Sequence, residues 1–85
     1  MGRSLSDREA VEERIRRIMA VVLRRPIGPG EAVSRETEPG WDSLRHVELI
    51  FSIEDEFAVS FDEDELLELT SLRALADAVA RRIPA

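Results

Sequence analysis

The sequence predicts an all-α domain: a four-helix bundle of three long helices and one short third helix, with a long loop between the first two. Three observations carry that expectation. Apolar residues recur at helical spacing in separate stretches of the chain. Each stretch opens on a capping residue and closes on a breaker or a basic turn. The period-2 alternation of a half-buried strand is absent, and so is any internal repeat.

Residues 1–5 read as a flexible N-terminal arm and residues 6–85 as the single folded domain. Met1-Gly2-Arg3-Ser4-Leu5-Ser6 has the form of a myristoylation signal. Ser6-Asp7-Arg8-Glu9 reads better as a capping box that starts the first helix near Asp7. Val11, Ile15, Ile18, Met19 and Val22 form its apolar stripe, and the helix should end at Leu23 or Arg24. Pro26, Gly28, Pro29 and Gly30 then open a connection lasting to Gly40, in which only Ala32 and Val33 could tuck inward. A loop of that length suits a segment spanning between distant helix ends.

Asp42 is a good N-cap, placing Ser43 at the first position of the second helix. Phe57-Ala58-Val59-Ser60-Phe61 breaks the pattern, with Phe61 as an inward plug. Asp62-Glu63-Asp64-Glu65 fits the positive end of a short third helix carrying Leu66, Leu67 and Leu69. Thr70 or Ser71 caps a last helix with Leu72, Leu75, Ala76, Val79 and Ile83 on one face. Arg81 and Arg82 sit in its final turn, where the helix dipole favours cations.

An 85-residue chain with 44% hydrophobic residues can build one modest core and no deep enclosed site, which weighs against an enzyme. Cysteine is absent, which excludes a disulfide framework, a thiol nucleophile and cysteine metal sites. The first twenty residues mix Arg and Glu and do not read as a signal peptide, and no run reaches membrane-spanning length; the expected compartment is the cytoplasm. Residues 1–30 hold seven arginines against four acids, whereas residues 31–85 hold five against fourteen. The acidic part repels nucleic acid and suits a basic protein surface. Arg14, Arg16, Arg17, Arg24 and Arg25 read as salt-bridge partners for it. The acidic run after Phe61 lacks the glycine and closing glutamate of a calcium loop, so no metal site is expected.

The second helix carries more apolar surface than a core needs. At about 100° per residue, His46, Leu49, Ile50, Ile53 and Phe57 share one face. Leu44, Val47 and Phe51 fall on the far side, among Glu48 and Asp55 and flanked by Glu54. An apolar stripe rimmed by acids reads as a docking surface. A helix wrapped on all sides would instead have to bury Glu48, Glu54, Asp55 and Glu56, which is costly. Three roles are open to Ser43. It is an ordinary serine of the cap region, a nucleophile with His46 as base, or a modification site. The nucleophile lacks a Gly-x-Ser-x-Gly elbow and an oxyanion loop. A phosphate on Ser43 would meet the free N–H groups and positive end of the helix.

The run Asp42-Ser43-Leu44, followed by Val47-Glu48-Leu49-Ile50 and Ile53-Glu54-Asp55-Glu56-Phe57, resembles acyl carrier proteins, and the likeness extends over roughly Ser6 to Ile83. The resemblance implies that Ser43, beside Asp42, receives 4′-phosphopantetheine from coenzyme A through a phosphopantetheinyl transferase. The thiol of that group would then hold acyl intermediates as thioesters, and the chain itself, a monomer, would do no chemistry. It also implies that acyl-loading and acyl-transferring enzymes grip the second helix through Asp42, Leu44, Arg45, Val47, Glu48, Phe51, Glu54 and Asp55.

Two departures stand out. Arg45 occupies a place where fatty-acid carriers usually have an acid, and Trp41 replaces a small or aliphatic residue. Both point to a specialised polyketide, polysaccharide or other secondary pathway rather than housekeeping fatty-acid synthesis. Pro39-Gly40-Trp41-Asp42-Ser43 differs from the Gly-Gly-[His/Asp]-Ser core of peptide-synthetase carriers, which favours an acyl over an aminoacyl carrier. The alternative from another class is a non-catalytic helical adaptor, with Ser43 unmodified and one partner held by the second helix.

Overall fold

A computed structural model describes residues 3–83, with side-chain environments from Arg8 onward. Four helices follow one another: α1 (Arg3–Leu23), α2 (Ser43–Phe57), α3 (Glu63–Leu66) and α4 (Leu72–Arg82). Three are long and one is a single turn, in the all-α arrangement the sequence predicts. Helix α1 is the spine, packing against both α2 and α4. Ile15 and Met19 of α1, Leu49 and Ile53 of α2, and Leu75 and Val79 of α4 are completely enclosed. Each such side chain contributes about 1.5–3 kcal/mol of burial. Among the described residues no helix is long and apolar enough to cross a membrane.

Helix α1 starts earlier than the Ser6 capping box predicts. Arg3, Ser4 and Leu5 are already helical, so Ser6-Asp7-Arg8-Glu9 lies inside the helix and does not cap it. No glycine or proline stands between Arg3 and Ser6 to stop the winding. Met1 and Gly2, on which the myristoylation pattern depends, lie outside the described residues. At the other end Arg24 adopts φ 60°, and the Arg25 N–H closes the turn on the Ala20 carbonyl at 3.2 Å. Helix α2 stops in the same way: Ala58 has φ 55° and donates its N–H to the Glu54 carbonyl. Neither residue is glycine, so each left-handed turn costs about 1–2 kcal/mol.

The long connection between α1 and α2 is tethered to the start of α4. Ser34 and Ser71 form an antiparallel bridge. The Leu72 N–H donates to the Val33 carbonyl, and the Arg35 N–H to the Thr70 carbonyl, both at 2.9 Å. In this extended geometry neighbouring side chains point to opposite sides. Val33 therefore enters the core while Ala32, expected there too, stays exposed. Arg25 clamps the same connection through Glu31 at 2.6 Å and Glu38 at 3.0 Å.

The remaining pieces follow from local chemistry. Ser71 caps α4 by accepting from the Ala74 N–H at 3.0 Å. Phe61 is buried as the plug that the sequence suggests. Arg82 lies 4.9 Å from its ring centroid, donates to the Ser60 carbonyl at 2.9 Å and pairs with Glu65. Helix α3 ends at Leu66, where the Glu68 N–H turns back to the Glu65 carbonyl at 2.9 Å. Leu67 and Leu69, both expected on it, thus fall outside the helix, Leu67 exposed and Leu69 buried. The arginines of α1 divide. Arg14 reaches Glu56 of α2 at 2.6 Å and lies over the Phe57 ring. Arg16 and Arg17 pair instead within their own helix, with Glu12 and Glu13.

Candidate functional site

The site begins at the start of α2. Asp42 is extended (φ −95°, ψ −172°) and its Oδ1 accepts from the Arg45 N–H at 2.9 Å. Its carboxylate is thereby committed to holding the first turn together. Ser43 is the first helical residue and is exposed. Its Oγ accepts a hydrogen bond from Nη2 of Arg35 at 3.2 Å. Arg35 comes from the tethered connection, eight residues earlier. Sequence reasoning gave Arg35 no role, because nothing in a linear pattern shows that the Ser34–Ser71 bridge will set it beside Ser43.

Trp41, noted in the sequence only as a departure from related chains, organises the other side of this helix start. It is 2% exposed, and its indole ring stacks on His46 with centroids 6.0 Å apart. Nε1 of Trp41 donates to Nδ1 of His46 at 3.0 Å. An indole N–H can only donate, so Nδ1 is the acceptor and the imidazole proton sits on Nε2. Nε2 in turn donates to the Leu66 carbonyl at 3.0 Å. Both ring nitrogens are thus occupied by structural partners. His46 is a half-buried, hydrogen-bonded residue at the edge of the core, on the face of α2 where the sequence places it, and it is not poised as a base for Ser43.

Behind the serine, the two faces of α2 separate cleanly. Leu49, Ile50 and Ile53 are 0–4% exposed, whereas Leu44, Val47 and Phe51 are 60%, 49% and 65% exposed. Glu48 and Asp55 are exposed beside the apolar stripe. Arg45 is half-buried with its guanidinium 3.6 Å from Glu48, so part of its charge is answered within the helix. Glu54 differs from the other acids. It is half-buried, and its Oε2 accepts from the Phe61 N–H at 2.9 Å, which holds the chain as it leaves α2.

The sequence reading missed one apolar contributor, Val21 of α1, which is 77% exposed. Together with Val22, Arg24, Arg45, Glu48 and Phe51 it lines a shallow groove of about 470 Å³ between the two helices. The signal was present: Val21 is a branched apolar residue lying off the stripe that the rest of α1 buries.

An exposed hydroxyl at the positive end of a helix, with a guanidinium against it, is chemically suited to a phosphate ester. Residues 13–79 match the family described as phosphopantetheine attachment site. The chain is also 39% identical over 66 residues to Acyl carrier protein 3 of Ralstonia nicotianae, an alignment that covers 76% of each protein. The chain therefore belongs to the acyl carrier protein family, whose prosthetic group is 4′-phosphopantetheine.

Proposed function

We propose that Ser43 is the attachment point of 4′-phosphopantetheine, added from coenzyme A by a phosphopantetheinyl transferase. The single observation that carries this reading is the exposed Ser43 hydroxyl at the start of α2, directly ahead of an exposed apolar stripe. When bound, the group supplies a thiol that holds acyl intermediates as thioesters. The protein supplies the rest: Asp42 fixes the helix start, Trp41 and His46 brace it against α3, and the outer face of α2 is recognised. On that face Leu44, Val47 and Phe51 form the contact, with Glu48 and Asp55 steering basic partners. Asp42, Arg45 and Glu54 act there mainly by shaping the surface, since each is engaged within the fold.

In this reading the chain is a cytoplasmic monomer without catalysis of its own, visited by loading and transferring enzymes in turn. Contacts of this kind are fast, weak and sensitive to salt. The Arg45–Glu48 pair reduces the acidity of the docking face, and buried Trp41 sets this helix start apart. Both features support a specialised acyl pathway rather than housekeeping fatty-acid synthesis.

The test is intact-protein mass after incubation with coenzyme A and a broad-specificity transferase, beside a Ser43→Ala control. The wild type should gain one phosphopantetheine and the variant none. A gain on the variant would move the site away from Ser43. No gain on folded wild type would instead leave the outer face of α2 as the surface of a permanent partner.

A further inference from the structure

Most arginines of this domain are committed to carboxylates within it, whether across helices as in Arg14–Glu56 and Arg8–Asp77 or along the connection as in Arg25–Glu38. Arg35 is not. Among the described residues it makes no ion pair, and its guanidinium donates to the neutral hydroxyl of Ser43. A serine oxygen satisfies one of the five guanidinium donors and leaves the charge uncompensated. The position of Arg35 is nevertheless well determined. Its own N–H is bonded to the Thr70 carbonyl at 2.9 Å, and the residue before it is bridged to Ser71. Backbone bonds to the head of α4 thus fix the point from which the Arg35 side chain departs, and from there its guanidinium reaches the Ser43 oxygen.

What that arrangement lacks is an anion on the same oxygen. A phosphodiester built on Ser43 carries one negative charge, and its non-bridging oxygens match the planar fork of a guanidinium. We propose that Arg35 is a positioning residue for the prosthetic group, gripping the phosphodiester on Ser43 and tying the root of the arm to the tethered connection. This rests on Ser43 being the attachment point and adds a residue that lies outside the Asp42-Ser43-Leu44 motif. Loading the serine then tightens the domain, because the new contact joins α2 to a segment already anchored on α4.

The experiment loads wild type, Arg35→Lys and Arg35→Gln with coenzyme A and a broad-specificity transferase, confirming each by intact mass. Phosphorus NMR then reads the diester, and thermal melts compare loaded with unloaded protein. The diester resonance should shift and sharpen in Arg35→Gln and lie between the two in Arg35→Lys. The melting temperature gained on loading should be about 2–5 °C larger for wild type than for Arg35→Gln. In wild type alone, the Arg35 Nε–H resonance should move on loading, a readout that needs no variant to fold. Successful loading with the same diester resonance and the same thermal gain in wild type and Arg35→Gln would remove the role of Arg35 while leaving Ser43 in place. Failure of folded wild type to load would remove the Ser43 reading itself, and the assignment of Arg35 with it.

Discussion

Two faces of one helix carry the same kinds of residue to opposite ends. Leu49, Ile50 and Ile53 are sealed against α1 and the rest of the core, while Leu44, Val47 and Phe51 look outward from the same fifteen residues. Side-chain chemistry does not distinguish the two sets. Their angular position does, together with the acids around them: the outer set is interleaved with exposed Glu48 and Asp55, whereas the acids bordering the inner set, Glu54 and Glu56, are bonded to the Phe61 N–H and to Arg14. Exposed apolar surface of this kind is characteristic of interaction sites. The acids divide in a parallel way. Glu48 and Asp55 remain exposed, whereas Glu54 and Glu65 are bonded within the fold.

That contrast can be broken most forcefully from the inside. Leu49→Ala should cost about 2–5 kcal/mol, a large share of the about 4–13 kcal/mol expected for a domain of this length. Chemical denaturation followed by circular dichroism measures it, and a loss below about 1 kcal/mol would mean that the inner face is not the one that holds the fold.

Next comes the helix start. Trp41→Phe keeps an aromatic ring but removes the indole N–H, leaving Nδ1 of half-buried His46 without its donor. The expected loss is about 1–3 kcal/mol, with the His46 ring resonances shifted in NMR spectra. Unchanged ring resonances would show that the brace is not formed in solution.

Glu65 sharpens the comparison among the acids. Hydrogen bonding from Arg82, then from the Asp62 N–H, with Arg81 adding its charge, holds its carboxyl below the usual glutamate range. A carboxylate whose pKa is lowered by folding stabilises the protein above the unfolded pKa, and that contribution is lost as pH falls through the folded value. Glu65→Gln should therefore lower the melting temperature at neutral pH and flatten its decline below about pH 4.5. Parallel profiles for wild type and Glu65→Gln would refute the division.

The smallest effect on stability belongs to the outer face. Phe51→Ser should change folding free energy by no more than about 0.5 kcal/mol. The same substitution should lower kcat/KM for transferase loading by about fivefold or more, as loss of a central contact does. A substantial loss of stability without any change in loading would reverse the roles of the two faces.

Much of this was legible in the sequence because it is local. Helical periodicity separates Leu49 and Ile53 from Leu44 and Phe51, and short-range capping chemistry singles out Asp42 and narrows the cap of α4 to Thr70 or Ser71. The placement of Ser43 on the first turn follows from those same few residues. The start of α1 was misread for the complementary reason: the Ser6–Glu9 pattern fits a cap, but a cap pattern does not stop a helix whose preceding residues can also wind. What tertiary structure alone decided are contacts between residues distant in the chain. The Ser34–Ser71 bridge brings Arg35 to Ser43, and the approach of α3 gives His46 its acceptor at Leu66. The chain leaving α2 folds back so that Phe61 engages Glu54, and the packing of α1 against α2 sets Val21 beside Phe51. Periodicity determines which way a side chain faces from its own helix, within one or two turns. What it then meets depends on how the connections are laid across the core, and no local pattern encodes that.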